Sequence, residues 1–398
     1  MMKDFNKGIT LIALVVTIIV LFILAGVSIS MLTGQNGILN RVQEAKEKTE
    51  ESQSNENEKI KGYENIMSKY AENLPQGEGT TPYLPNSSFS YKEGNLSTGL
   101  VIEDANNNEY VWVEVPKTST VYSTAGTNIS NFTDGEYTKI ENDLKRYTSD
   151  YSNSVYNDKN QEFLNQYINM LKSVYINGGF WIGRYEAGLE EGKSPRTAHI
   201  NITENDRAVI KPNKIPYTYV TIVEAQELAK RMNYESCTSS LIFGLQWDLT
   251  LKYIEKKNAT VRSNLISNST TIGNYYNSGF TLTRGKFAQH GALLKWYEFN
   301  SEEKKDLVSE SKKKAQSLAS NAMLLTTGAT EATNLQQIYD IAGNVYEWTM
   351  EYEPNSNNYV FRGGSSDNDG LTAPAKYRIS DNNVNSYHDL GFRIGLWK

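Results

Sequence analysis

The chain has 398 residues, and its 40 Lys and Arg against 46 Asp and Glu give a formal net charge of −6. No basic surplus exists to neutralise phosphates, which argues against a nucleic-acid partner. A single cysteine, Cys237, excludes an intramolecular disulfide and any CxxC metal site, and three histidines without HxxxH spacing make zinc and haem poor candidates.

In chain order, the first feature is an uncharged apolar run, "GITLIALVVTIIVLFILAGVSISML", at residues 8–32. At about 1.5 Å per residue, its central part covers the roughly 30 Å hydrocarbon core of a bilayer. Lys3 and Lys7 precede it, so the positive-inside bias predicts a single-pass anchor with a cytoplasmic N-terminus and an extracellular remainder. The run is longer than the apolar region of a cleaved secretory signal, and no A-x-A-like cleavage site follows it.

Lys7-Gly8 followed by "ITLIALVVTIIVLFILAGV" resembles the type IV pilin and pseudopilin N-terminus. That resemblance implies a leader at 1–8, cut by a prepilin peptidase between Gly8 and Ile9, and pilin-like subunits as partners. It departs where the family carries Glu at the fifth mature position, because this chain has Ala13. Residues 33–72 read as a solvated helical stem, with Glu44 and Lys48 at the favourable i, i+4 spacing. "LPQGEGTTPYLPNSS" lies within 73–98, which the prolines and glycines mark as a linker.

From residue 99 the texture changes. "YVWVEV" alternates as a half-buried strand does, and "FWIGRYEAG" is a second aromatic-rich strand candidate. "TIVEAQELAKRMN" and "LIFGLQWDLTLKYIEKK" have helical spacing, the first with Thr221 placed to cap it. Residues 300–320 form a charge-rich excursion read as a solvated loop or surface helix.

In sequence, "FWIGRYEAG", "LIFGLQWDLTLKYI", "YDIAGNVYEW", "RGGS" and "GFR" resemble the landmarks of formylglycine-generating-enzyme (sulfatase-modifying-factor) domains. The resemblance spans 99–398. It implies an α+β class: a transmembrane and stem helix followed by a loop-rich domain related to C-type lectins.

It also implies a structural calcium, held by the side chain of Asp340, the carbonyls of Gly343 and Val345, and the carboxylate of Glu347. Calcium takes six to eight oxygens and mixes carboxylates with carbonyls, as this turn offers. The alternative for the same residues is a turn in which Asp340 and Glu347 cap N–H groups and pair with an arginine.

Active members of that family oxidise a substrate cysteine through two cysteines that hold copper(I) shortly after Gly-Gly-Ser. Here the corresponding positions are Asn368 and Ala373, so no copper is expected. In the lectin-like branch the segment between Gly-Gly-Ser and Gly-Phe-Arg is a recognition face. In this chain it offers Asp367, Asn368, Asp369, Tyr377, Arg378, Asn382, Asn383, Asn385, Tyr387 and His388 to an unidentified protein or glycan. Arg362, Arg378 and Arg393 are read as partners of carboxylates beneath the loop.

The resulting expectation is a bacterial, membrane-anchored surface protein whose outer domain binds a ligand or takes part in surface assembly. Its rivals are a metal-dependent oxidase of the sulfatase-modifying-factor type and a structural minor pseudopilin without a ligand.

Overall fold

A computed structural model describes residues 14–24, 46, 48–49, 74–232, 234–280, 282–289, 293–302, 322–356 and 358–398. The chain divides into two compact units, residues 1–69 and 70–398. In the first, residues 14–24 are helical, and among the described residues no helix is long and apolar enough to cross a membrane. The leader with Gly8 and Ile9, the rest of the 9–32 anchor, and the 33–72 stem apart from Lys46, Lys48 and Thr49 lie outside the described residues. So do His290, residues 303–320 of the charged excursion and residue 321.

The second unit mixes helices with four sheets. The largest has six strands in the order β1 (Ser90–Glu93), β2 (Val101–Glu103), β3 (Glu109–Glu114), β4 (Gly179–Gly183), β15 (Ile394–Trp397) and β7 (Thr238–Leu241), all antiparallel. β3, expected to be half-buried, is buried from Glu109 through Val113. Its two faces are both covered. Tyr110 meets Phe89 and Tyr234, Trp112 meets Tyr83 and Trp181, and the helix Gly244–Lys257 also packs against the strand.

The stretch 74–98 is part of this body and not a free linker. Leu74 and Phe89 are buried, Tyr83 accepts the Trp181 indole N–H at 2.8 Å, and residues 90–93 supply the sheet edge. Its prolines shape a chain that docks through scattered aromatic and apolar residues, which no periodic pattern announces.

The helices have legible ends. α1 (Asp134–Tyr147) is capped by Thr133, and α2 (Leu164–Asn177) ends at Gly178 with φ 67°. α3 (Ile222–Lys230) carries a capping box, in which Thr221 Oγ1 accepts the Glu224 N–H and Glu224 Oε2 accepts the Thr221 N–H. α4 (Gly244–Lys257) is buried over most of its length, with Trp247 donating to the Ala375 carbonyl at 3.0 Å; the short α5 (Arg262–Ile266) follows.

Two small sheets are β5 (Gly188–Leu189) with β6 (Ala208–Val209), and β10 (Met323–Leu325) with β8 (Lys286–Gln289) and β9 (Tyr297–Glu298). The fourth sheet positions the site. It runs β13 (Arg378–Asp381), β12 (Asn358–Arg362), β11 (Tyr346–Glu353), β14 (Leu390–Phe392), with β11 and β14 parallel. Glu347 stands opposite Arg362 on one side and Gly391 on the other. Three motifs far apart in sequence thus lie side by side.

Candidate functional site

The turn before β11 is built from left-handed residues: Asp340 (φ 58°), Gly343 (φ 69°) and Asn344 (φ 61°). Asp and Asn tolerate this region better than most side chains. At Gly343 a Cβ would stand 2.4 Å from the Asn274 carbonyl oxygen, so only glycine fits. Asn344 locks the turn from inside, accepting from Asn274 Nδ2 at 2.8 Å and Leu325 N–H at 3.0 Å while donating to Glu186 at 2.7 Å.

Asp340 accepts the Gly328 N–H and the Thr333 hydroxyl, each at 2.7 Å. Glu347 holds Arg393 through two contacts, Nη2 to Oε1 at 2.6 Å and Nε to Oε2 at 2.9 Å. Arg393 also donates to the Gly183 and Tyr339 carbonyls, both at 2.9 Å. Glu186, which its sequence context did not single out, completes the group by accepting the Val345 N–H at 3.2 Å. Its role is set by a contact 159 positions away, so its place inside the FWIGRYEAG landmark does not disclose it.

Three carboxylates and one guanidinium are therefore buried together. Burial pushes Glu186 well above the ordinary carboxylate value, and the charges of Asp340 and Glu347 push it further. Burial also raises Asp340, against the Gly328 and Thr333 hydrogen bonds, and raises Glu347, against Arg393. A divalent cation would relieve such crowding of buried carboxylates, and protonation, which burial favours in all three, would relieve it as well. The same oxygens already serve the cap and the arginine, and an ion at Glu347 would share that carboxylate with Arg393.

A second buried layer lies under the 366–390 segment. Arg362 pairs with Asp248 at 2.9 Å and Glu351 at 3.1 Å, and Arg378 with the same two acids at 2.7 and 3.0 Å. Arg378, expected among the recognition residues, thus has its guanidinium paired with both acids and is partly covered. The reason is charge: two acids in the core require two cations.

The other expected recognition residues divide by exposure. Asn382 and Tyr387 are exposed; Asp367, Asn368, Asp369, Tyr377, Asn383, Asn385 and His388 are partly covered. Asp381 organises the tip, accepting Tyr387 OH at 2.7 Å and Asn385 Nδ2 at 2.9 Å. Asn368 Oδ1 accepts the Ser365 N–H at 2.8 Å, and Ala373 is buried. Cys237 is buried elsewhere and donates to the Trp397 carbonyl at 2.9 Å; burial pushes its thiol up to about 12.

Beside Arg378 opens a cavity of about 500 Å³, lined by Glu141, Lys145, Tyr156, Asp158 and Glu351 among others. A neighbouring cavity of about 490 Å³ shares Tyr156 and Arg378 and reaches Thr372 and Pro374. Asp158 sits at the wall with its carboxyl lifted to about 7 by burial and then by the Glu351 charge.

Comparison with known families matches residues 154–395 to the "Sulfatase-modifying factor enzyme 1-like domain". Among solved structures, the chain is similar to the crystal structure of CarF at 15% identity and a TM-score of 0.31, over 55% of this chain and 87% of that one. It is similar to Treponema denticola variable protein 1 at 14% identity and a TM-score of 0.22, over 73% of this chain and 85% of that one. No curated protein matches.

Proposed function

The chain belongs to the sulfatase-modifying factor enzyme 1-like domain family through residues 154–395, and from that premise we propose that it uses the scaffold for recognition and not for cysteine oxidation. The observation that carries this reading is the chemistry at 368 and 373. Asn368 is tied into the turn by Ser365, Ala373 is buried, and neither supplies a thiolate for copper(I). Cys237, the single thiol, is held in the core against Trp397.

In this reading the 366–390 segment carries the ligand surface, with Asn382, Tyr387 and their partly covered neighbours as contacts. Calcium at Asp340, Gly343, Val345 and Glu347 would steady the turn beneath it and offset the carboxylate surplus that Glu186 creates. The uncharged stretch at 8–32, behind Lys3 and Lys7, supports an anchor that presents the domain outside a bacterial cell. Gly8 and Ile9 support prepilin-type processing, while Ala13 speaks for a minor or solitary subunit over one packed throughout a fibre.

The test is a copper(I) titration of the purified chain with a cysteine-containing peptide and oxygen uptake recorded together. The expected result is neither stoichiometric binding nor turnover; tight binding with turnover would make the domain an oxidase. Intact-mass measurement of the membrane fraction tests the processing step, which a chain retaining residues 1–8 would eliminate.

A further inference from the structure

Three metal-ligating side chains from the two ends of the 366–390 segment converge. Asp367 follows Ser365 and Ser366 after the Gly-Gly pair, and His388 and Asp389 lead into β14. His388 Nε2 lies 2.7 Å from Asp367 Oδ2, and His388 Nδ1 lies 4.0 Å from Asp389 Oδ1. One donor atom can be taken from each residue so that all three lie within 4.8 Å of one another, the one such group of His, Cys, Asp and Glu found among the described residues.

Both ends are held to the ordered core. Ser365 Oγ donates to Asp389 Oδ2 at 2.7 Å, the Asp389 carbonyl accepts the Tyr346 N–H at 2.7 Å, and the Ser366 N–H reaches the Asn344 carbonyl at 2.8 Å. The side chains are 18% (Asp367), 28% (His388) and 16% (Asp389) exposed, so an ion can enter from solvent without opening the fold.

We propose that Asp367, His388 and Asp389 form a binding site for a first-row divalent cation, with zinc the best match. An imidazole nitrogen beside two carboxylate oxygens is a borderline donor set, which suits zinc, manganese or iron(II). Calcium prefers an all-oxygen shell, and copper(I) prefers sulfur. Metal–ligand distances of about 2.0–2.2 Å set ligand–ligand separations of roughly 3–3.5 Å. The tight His388–Asp367 contact opens slightly to admit the ion, and the Asp389 carboxylate swings in by side-chain rotation. Two carboxylates also match the charge of a divalent ion, and three protein ligands leave coordination positions for water or an incoming group. The cation site does not depend on what the segment recognises.

The experiment uses the full-length chain in detergent, stripped with chelator and returned to millimolar calcium so that oxygen-only sites are occupied. Zinc chloride alone is the probe, with bound zinc counted by elemental analysis and affinity measured against a chromogenic competitor. The expected result is one zinc per chain, weakened at least tenfold in both H388Q and D389N and unchanged in H199Q. X-ray absorption should show only nitrogen and oxygen neighbours, one of them an imidazole.

Zinc should also raise the melting temperature of the original chain and not that of H388Q, which separates lost binding from lost folding. D389N gives the same reading should H388Q fold poorly. No retained zinc, or equal affinity in the original chain and both site variants, overturns the site. Loss of oxidase-negative behaviour in the copper test would instead strike the recognition reading and leave this site standing.

Discussion

Arg393 holds Glu347 through two nitrogen–oxygen contacts, at 2.6 and 2.9 Å, in a pocket where both side chains are almost wholly excluded from water. Glu186 and Asp340 stand close enough to feel the same charges, so the guanidinium serves three carboxylates at once. Removing one partner of a buried ion pair costs about 3–5 kcal/mol, because the other is left uncompensated. R393M should therefore destabilise the domain by at least that much, and by more than E347Q, which leaves two acids to face the arginine. Chemical denaturation of the two variants decides the order; an equal or smaller loss in R393M would show that the acids are already neutral.

Calcium bears on the same surplus. If the turn binds the ion, millimolar calcium should raise the melting temperature over a chelator-treated sample, since a ligand at 100 times its dissociation constant adds about 2.7 kcal/mol. D340N should abolish most of the increment. Identical melting curves with calcium and with chelator would leave Asp340 as a cap for Gly328 and Thr333 alone.

Asp158 predicts a pH response. Its two carboxylate oxygens accept Gly244 N–H at 2.7 Å and Leu245 N–H at 2.9 Å, capping α4, yet burial and then Glu351 lift its carboxyl to about 7. Folded Asp158 therefore keeps its proton over a range in which the unfolded chain, near the ordinary aspartate value of about 3.9, has lost it. Its contribution to stability is fully present below that ordinary value and is lost as pH rises through 7, with a slope of at most about 1.4 kcal/mol per pH unit. D158N should flatten the decline between pH 4 and 7. A variant whose stability falls as steeply as that of the original chain would place the titration elsewhere.

Thr221 offers a smaller and cleaner test. Its hydroxyl and Glu224 satisfy each other's backbone N–H groups at the start of α3, and T221A should cost about 1 kcal/mol by denaturation without changing the zinc or calcium response.

Gly343 sets the strain limit of the turn. A Cβ there would meet the Asn274 carbonyl at 2.4 Å, in addition to the cost of a left-handed φ. G343A should lower stability by more than the roughly 1 kcal/mol of the dihedral alone, read as a drop in melting temperature; a neutral result would mean that Asn274 gives way freely.

What the sequence discloses follows the range of the interactions. The Thr221 cap is spelled within four residues, and the landmarks that name the family are short contiguous runs. The pairing of Arg362, Arg378 and Arg393 with acids was readable as a demand for counter-charge, although not which acids would answer. Asp158 was invisible, and Glu186 went unassigned although it lies inside the FWIGRYEAG landmark, because each acts on backbone N–H groups far along the chain. The docking of 74–98 was hidden by its own prolines, which mark a bend as readily as a linker. β3 read as half-buried because alternation reports one covered face, and the second cover, from Phe89, Tyr83 and Tyr234, comes from elsewhere in the chain.

β15 lies between β4 and β7, with β4 on one side and β7 on the other. Every other strand of that sheet is made before it, so a growing chain must carry two open sheet edges until residues 394–397 emerge. Unpaired edges invite pairing with other chains, and contacts between distant segments form slowly. A ribosome stalled ahead of this strand would release a product with its inner seam exposed. A cell making this protein therefore has reason to shield it until residues 394–397 have emerged, and quality-control proteases have a simple cue for a chain that lacks them.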